Sequence, residues 1–277
     1  MKKNLKYYLK NKLTKKELKL APSSFDVVGD ILIFSDFPKE LSKKEKLIGE
    51  TILETYHHIK TILKKTKKYS GKFRTPKLKV IAGEKRKETT CRENNVLIKL
   101  DVERVYFSTR MSSERKRISE LINPDESVLV MFSGSGAYPL VIAKNTRCKE
   151  VYGIEINPVA HKYALENIKK NKLENKIKLF LGDVRKIMPK LNKRFDRILM
   201  PLPKGGENFL NLALKYIKNK GTVHFYDFLH EDEFYKAEEK VKEACKKSRK
   251  KCKILRTVKC GQYSPRFYRV CVDFLVD

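Results

Sequence analysis

The stretch Ser127–Asn157 reads SVLVMFSGSGAYPLVIAKNTRCKEVYGIEIN. Val128–Phe132 is an apolar run of strand length. Ser133-Gly134-Ser135-Gly136 is a turn, and Ala137–Ala143 starts a helix. Glu150–Ile154 is a second β-rich run that ends in Glu155. The result is a β-turn-α-β-acid unit with its acid about 20 residues past the glycines. Glycine lets backbone pass close to a ligand, and a carboxylate accepts two hydrogen bonds from a ribose diol. The turn is G-x-G without the third glycine of dinucleotide sites, which favours one nucleoside, such as that of S-adenosylmethionine, over NAD. An ordinary parallel-sheet turn carries the same glycines, so support must come from elsewhere in the chain.

Downstream, the pattern alternates. Pro158–Lys170 reads as a helix, Lys176–Leu181 as a strand leading to Gly182-Asp183-Val184, and Phe195–Leu202 as a strand entering Pro203-Lys204-Gly205-Gly206. Helix 208–218, strand 221–228 and helix 232–248 follow. Ile254–Lys259 and Tyr268–Leu275 form an expected antiparallel pair. Alternating strands and helices imply an α/β fold with a mostly parallel sheet, whose ligands sit beyond the carboxyl ends of the strands. Gly134, Gly136, Glu155, Asp183 and Pro201–Pro203 all fall at such ends, and their convergence supports a nucleoside site.

Upstream, residues 1–20 form a basic lead-in, either a short helix or a frayed arm. Residues 21–105 read as a small α+β domain and 106–277 as the α/β domain. Ser24–Phe34 gives two short strands broken at Gly29-Asp30. Over Lys43–Lys65, Leu47, Ile48, Ile52, Tyr56, Ile59, Ile62 and Leu63 recur at helical spacing. Lys77–Ala82 reads as a strand, and Lys87–Arg92 and Val96–Val105 as a pair. Arg74 then lies on a loop facing the next domain. In the helix that follows Tyr106, Ser112 or Ser113 is the expected cap, with Glu114 in the first turn.

The 277 residues carry 63 Lys+Arg against 33 Asp+Glu, a formal net charge of +30. Such an excess suits a polyanionic partner, since each cation docked on a phosphate releases counterions; lysine-rich composition of the source proteome is the competing cause. The six cysteines form no C-x-x-C and no His pair has zinc spacing, so no metal is expected and structural thiols in a reducing cytosol fit best. No apolar stretch reaches membrane-spanning length, and no signal peptide is apparent.

Six segments follow one another in order: TPKLKVIAGEKRKETTCRENN, LDVERVYFSTRMSSERKRI, MFSGSG, EINP, GDVR and MPLPKGGENFL. Together they resemble the archaeal and eukaryotic tRNA (guanine-37-N1)-methyltransferase family, from about Ala21 to the C-terminus. The superfamily also holds the wybutosine-pathway aminocarboxypropyltransferase. The resemblance implies a class I, Rossmann-like methyltransferase domain, S-adenosylmethionine as cofactor, and the anticodon loop of tRNA as partner of a cytoplasmic monomer. By position it implies that Phe132, Gly134 and Gly136 line the cofactor, Glu155 holds its ribose, and Asp183 with the Val184 backbone faces the adenine. Glu114 matches the general base and Arg74 the substrate-orienting arginine. Arg110 and Arg115 match basic residues near the substrate, as do Pro201, Pro203 and Lys204 of the substrate motif. Most of the N-terminal tRNA-binding module of many members is expected to be missing.

Two positions depart from the family pattern. Val130 replaces the acid of D-x-F-x-G-x-G, which keeps open a non-catalytic RNA-binding protein on a degenerate cofactor fold. Pro201-Leu202-Pro203 replaces Asn-Leu-Pro and resembles the archaeal subgroup that also methylates 4-demethylwyosine. Guanine N1 must lose its proton before it attacks, and charge then builds on O6; a carboxylate and a guanidinium answer those needs. The plain alternative for Glu114 is a helix-start acid, or a partner of Arg110 or Arg117. Arg74 and Lys204 are otherwise solvated cations.

Overall fold

A computed structural model describes residues 5–277, with the side chains of residues 68–70 left aside; residues 1–4 of the lead-in lie outside the described residues. The chain divides into two compact units, one of residues 1–92 and 97–109, the other of residues 93–96 and 110–277.

The first unit holds α1 (Leu5–Leu9), α2 (Lys15–Leu20), β1 (Asp26–Val28), β2 (Ile31–Phe34), α3 (Glu45–Thr55), β3 (Thr61–Ser70) and β4 (Thr75–Gly83). The hairpin β5 (Glu88–Glu93) and β6 (Val96–Asp101) follows, and its tip counts with the second unit. Strands β1 to β4 make one sheet in sequence order. The lead-in folds into the core of this unit: Leu5, Leu9 and Leu13 are buried with Ile48 and Ile52 of α3. The helix expected over 43–65 stops at Thr55, and Ile62 and Leu63 belong to β3. Both are fully buried. Parallel pairing with β2 (Ile31↔Thr61, Ile33↔Leu63) and antiparallel pairing with β4 outweigh the helical spacing.

The second unit runs α4 (Ser112–Glu120), β7 (Ser127–Val130), α5 (Ala137–Asn145), β8 (Glu150–Glu155), α6 (Pro158–Asn171), β9 (Ile177–Leu181), α7 (Val184–Ile187), β10 (Phe195–Met200), α8 (Leu210–Tyr216), β11 (Ile217–His230), α9 (Tyr235–Lys247), β12 (Cys252–Ser264) and β13 (Phe267–Val276). Its seven strands lie in the order β12-β13-β11-β10-β7-β8-β9. The five from β11 to β9 are parallel, and β13 and β12 add antiparallel at one edge. This is a Rossmann-like α/β sheet. Chain order reverses between β7 and β10, where such sheets open a ligand crevice at their carboxyl edge. Val130 is fully buried at the end of β7, between Leu199 and Gly153, as a core side chain. No helix among the described residues is long and apolar enough to cross a membrane.

Candidate active site

The glycine turn after β7 carries the backbone where other residues are strained. Gly134 has φ +57° and Gly136 φ +84°. A Cβ on Gly136 would lie 3.3 Å from that of Ala164 on α6. At the end of β8, Glu155 accepts the Gly134 N–H through Oε2 and the Asn157 N–H through Oε1, each at 2.7 Å. Burial pushes the Glu155 carboxyl above the usual range, and the amide hydrogen bonds from Asn157 and Gly134 pull it partly back.

Phe132 packs edge-on against Phe209, with ring centres 5.1 Å apart. Asp183 caps α7 by accepting the Arg185 N–H at 2.9 Å, and it also binds the Arg185 guanidinium, which holds its carboxyl below the usual range. The Val184 side chain is buried in the core. Pro201 and Pro203 follow β10 at the same edge, Pro203 buried and Lys204 exposed. The glycines, Glu155, Asp183 and the prolines therefore share the carboxyl edge of one sheet, as a nucleoside site requires.

Glu114 lies on the same unit, 4% exposed. No side chain caps α4, whose N-cap is Met111, so the serine cap expected at Ser112 or Ser113 is not made. Its carboxylate is instead clamped: Arg117 Nε donates to Oε2 and Nη2 to Oε1, both at 2.7 Å. The Tyr226 hydroxyl donates to Oε1 at 2.6 Å and accepts from the Tyr138 hydroxyl at 3.1 Å. Tyr138 is the second residue of α5, so the chain Glu114–Tyr226–Tyr138 ends beside the glycine turn.

Behind Glu114 lies a charged network that sequence reading missed apart from the Arg117 pairing. Arg117 Nη1 also donates to Asp273 at 2.6 Å, and Asp273 accepts from Arg256 at 2.9 Å and from His224 Nδ1 at 2.5 Å. His224 Nε2 faces Arg197 Nη1 at 2.8 Å. A guanidinium only donates, so Nε2 accepts and Nδ1 carries the proton of a neutral ring. Burial holds the His224 pKa down against the pull of Asp273. The signal in sequence is a polar residue at every second position of an apolar strand: Thr222, His224 and Tyr226 on β11, and Asp273 on β13. His224, Cys271 and Asp273 are close enough to suggest metal ligands. Arg117 and Arg256 donate to Asp273, Arg197 donates to His224 Nε2, and the Cys271 thiol also donates to Asp273.

Arg115, which the resemblance puts near the substrate, is held in a buried ion pair. It is 4% exposed, forms a two-pronged pair with Glu93 and lies 5.9 Å from the centre of the Tyr138 ring. Burial of the pair commits this guanidinium to structure. Arg110 is exposed just before α4. Arg74 lies in the first unit, in the turn between β3 and β4, at φ +50° with its N–H closing on Gly71 O at 3.2 Å.

The fold and the glycine-acid edge define a class I methyltransferase domain. The chain belongs to the TRM5/TYW2 methyltransferase family: the model of the TRM5/TYW2 methyltransferase domain matches residues 89–255, and that of the TYW2 N-terminal domain residues 5–86. It is 39% identical over 257 residues to the tRNA (guanine(37)-N(1))-methyltransferase Trm5b of Pyrococcus abyssi, covering 92% of this chain and 76% of that one. It is 35% identical over 250 residues to the tRNA(Phe) (4-demethylwyosine(37)-C(7)) aminocarboxypropyltransferase of Methanocaldococcus jannaschii, covering 90% and 96%. Among solved structures, that of Trm5b from Pyrococcus abyssi superposes with a TM-score of 0.86 at 38% identity, covering 96% of this chain and 78% of the other. A complex of aTrm5 with tRNALeu superposes at 0.87 and 31% identity, covering 100% and 79%.

Proposed function

We propose that the protein is a cytoplasmic, S-adenosylmethionine-dependent tRNA methyltransferase that methylates N1 of guanosine 37 in the anticodon loop and also 4-demethylwyosine at that position. The observation that carries this reading is the buried Glu114 carboxylate, fixed by Arg117 and Tyr226 on the unit that holds the glycine turn and Glu155. Relatives supply the substrate class: names among them include a tRNA (guanine(37)-N(1))/4-demethylwyosine(37)-methyltransferase of Nanoarchaeum equitans, 35% identical over 270 residues.

The cofactor brings a methyl group activated by a sulfonium. The protein has three tasks around it. Glu155 binds the ribose diol, Phe132 and the glycine turn line the cofactor, and Asp183 with the Val184 backbone orients the adenine. Glu114 takes the N1 proton, and the free position on its carboxylate is at Oε2, which has one donor where Oε1 has two. Arg110 and Lys204, both exposed on this unit, meet the RNA, and the resemblance alone assigns Arg74 of the first unit to the guanine O6. Pro201 and Pro203 present no side-chain amide to the base edge, so a tricyclic base is accommodated as well as guanine. Positioning carries much of such a displacement, because holding the nucleophile in line with the methyl carbon and the sulfur that leaves it removes much of the entropic barrier.

The test is to incubate the protein with tRNAs bearing guanosine or 4-demethylwyosine at position 37 and identify the nucleosides after digestion. Methylation of both is expected, and methylation of one alone removes the dual activity. Aminocarboxypropyl transfer is the second reading, favoured by the match of the N-terminal unit to the TYW2 N-terminal domain. Its product is far heavier and identifies itself in the same digest.

A further inference from the structure

The register of β11 against β13 runs unbroken from Gly221↔Val276 to His230↔Phe267. Directly opposed residues of an antiparallel pair share a face, and side chains alternate along each strand. His224, Tyr226 and Phe228 therefore lie on one face with Asp273, Cys271 and Arg269. The hydrogen bond from Tyr226 to Glu114 identifies this as the face toward α4. The other face carries Phe225 and Leu229 of the core and the ion pair of Asp227 with Lys240 on α9. Phe228 and Arg269 thus stand one alternation beyond Tyr226, about 7 Å along the strand from the bond to Glu114.

At that position the surface changes character. The Arg269 guanidinium lies 5.0 Å from the centre of the Phe228 ring. Tyr263, from the irregular end of β12, lays its ring 4.4 Å from that of Phe228 at 37°, and the residue is 64% exposed. From Arg249 to Arg269 the chain has eight Lys or Arg and no Asp or Glu. Lysines alone are explained by the need to protect an edge strand from pairing with another sheet. An exposed tyrosine against a phenylalanine and an arginine is not, because it adds apolar surface to that edge. The same cations repel a second copy of the chain. Arg266 in the adjoining turn is paired with Glu231 and Asp232, but aromatic rings with an arginine laid against them match the stacking platforms that hold unpaired nucleobases.

We propose that Tyr263, Phe228 and Arg269 form a stacking shelf for an unpaired base that flanks the nucleotide reaching Glu114. This rests on the function proposed above: the shelf holds the loop while the target base enters beside Tyr226. The probe is an anticodon stem-loop RNA with 2-aminopurine next to the target guanosine, titrated with full-length protein in the absence of cofactor. With the wild type, binding quenches the fluorophore. Tyr263→Ala weakens binding about ten-fold, within the range of one aromatic stack, and abolishes the quench, whereas Tyr263→Phe keeps both. A fully paired RNA of the same length binds both variants like the wild type. Wild-type affinity and quench with Tyr263→Ala overturn the shelf, and so does an equal loss on paired RNA, which would make the effect purely electrostatic. Binding is read without turnover, so the shelf stands if the wild type quenches the probe yet modifies nothing at position 37, and only the functional reading fails.

Discussion

The Tyr226 hydroxyl donates a 2.6 Å hydrogen bond to Oε1 of Glu114, deep in the second unit. Burial pushes the Tyr226 phenol far above its usual range, so it keeps its proton and remains a donor to the carboxylate. A hydrogen bond to a charged group contributes about 1.5–3 kcal/mol. Tyr226→Phe is expected to slow single-turnover methylation at least ten-fold while KM for tRNA stays within about two-fold, as for an interaction that aligns the base rather than binds RNA. An unchanged single-turnover rate would remove Tyr226 from the alignment of Glu114.

Arg117 joins Glu114 to Asp273 and is the only cation paired with Glu114 among the described residues. Arg117→Met leaves a buried carboxylate without its counter-charge, a change that costs about 3–5 kcal/mol in fully buried pairs. The Arg117 side chain is 19% exposed, so the lower end of that range applies. At about 2–4 °C per kcal/mol for a chain of this size, Tm should fall by roughly 6–12 °C. Lys116, which faces Glu120 across 3.8 Å on the exposed side of the same helix, serves as the control. Lys116→Met should stay within about 0.5 kcal/mol of the wild type by denaturant unfolding.

The network also sets a pH dependence. His224 is buried and neutral with a lowered pKa, so below about pH 6.5 the unfolded chain takes a proton that the folded chain refuses. The Asp273 carboxyl is held far below its usual range by His224 and Arg117, which outweigh the opposing effect of burial. Its contribution is complete above about pH 4 and drains away as the pH falls further. Both act in one direction: stability falls on acidification, first through His224 and then through Asp273. Glu155, with its raised pKa, works in the opposite sense around pH 4–5. Urea midpoints measured from pH 8 to 4 should decline, and His224→Gln should flatten the limb between pH 7 and 5.

The parts of this design legible in sequence are those written in neighbouring residues. The glycine turn, Glu155 and the strand-helix alternation lie in continuous stretches, and their observed edges differ from the expected ones by a few residues. The helix expected over 43–65 failed because spacing cannot register that residues 61–64 have strand partners on two sides. The pairing of Arg115 was hidden for a related reason: its partner Glu93 is 22 positions away, on the tip of the β5–β6 hairpin. Arg117 is paired to Glu114 within one helical turn and was visible, but the bond from Arg117 to Asp273 spans 156 positions and no local pattern encodes it. Val130 is fully buried on a strand enclosed by β8 and β10, neither adjacent to it in sequence, and there an apolar side chain is a core choice.

Glu155 yields the last prediction. Its two oxygens accept the backbone N–H groups of Gly134 and Asn157, and the proposed function assigns the same carboxylate to the two hydroxyls of a ribose. In Glu155→Gln one oxygen becomes an amide NH2, which cannot accept from a hydroxyl and which opposes a backbone N–H of Gly134 or Asn157. The variant should bind S-adenosylmethionine about ten- to a hundred-fold more weakly by calorimetry, the cost of an unmade bond to a charged group. Burial raises the Glu155 pKa, so wild-type affinity should fall on acidification at a higher pH than an ordinary glutamate would allow, as the carboxylate gains a proton and loses an acceptor. Glu155→Gln carries no such proton, and its weaker affinity should be flat across the same interval. RNA binding should be the same in both proteins, since the proposed function gives Glu155 a role toward the cofactor alone. A wild-type cofactor affinity independent of pH between 4 and 7, or a Gln variant that binds as tightly as the wild type, would show that the ribose is held by some other group.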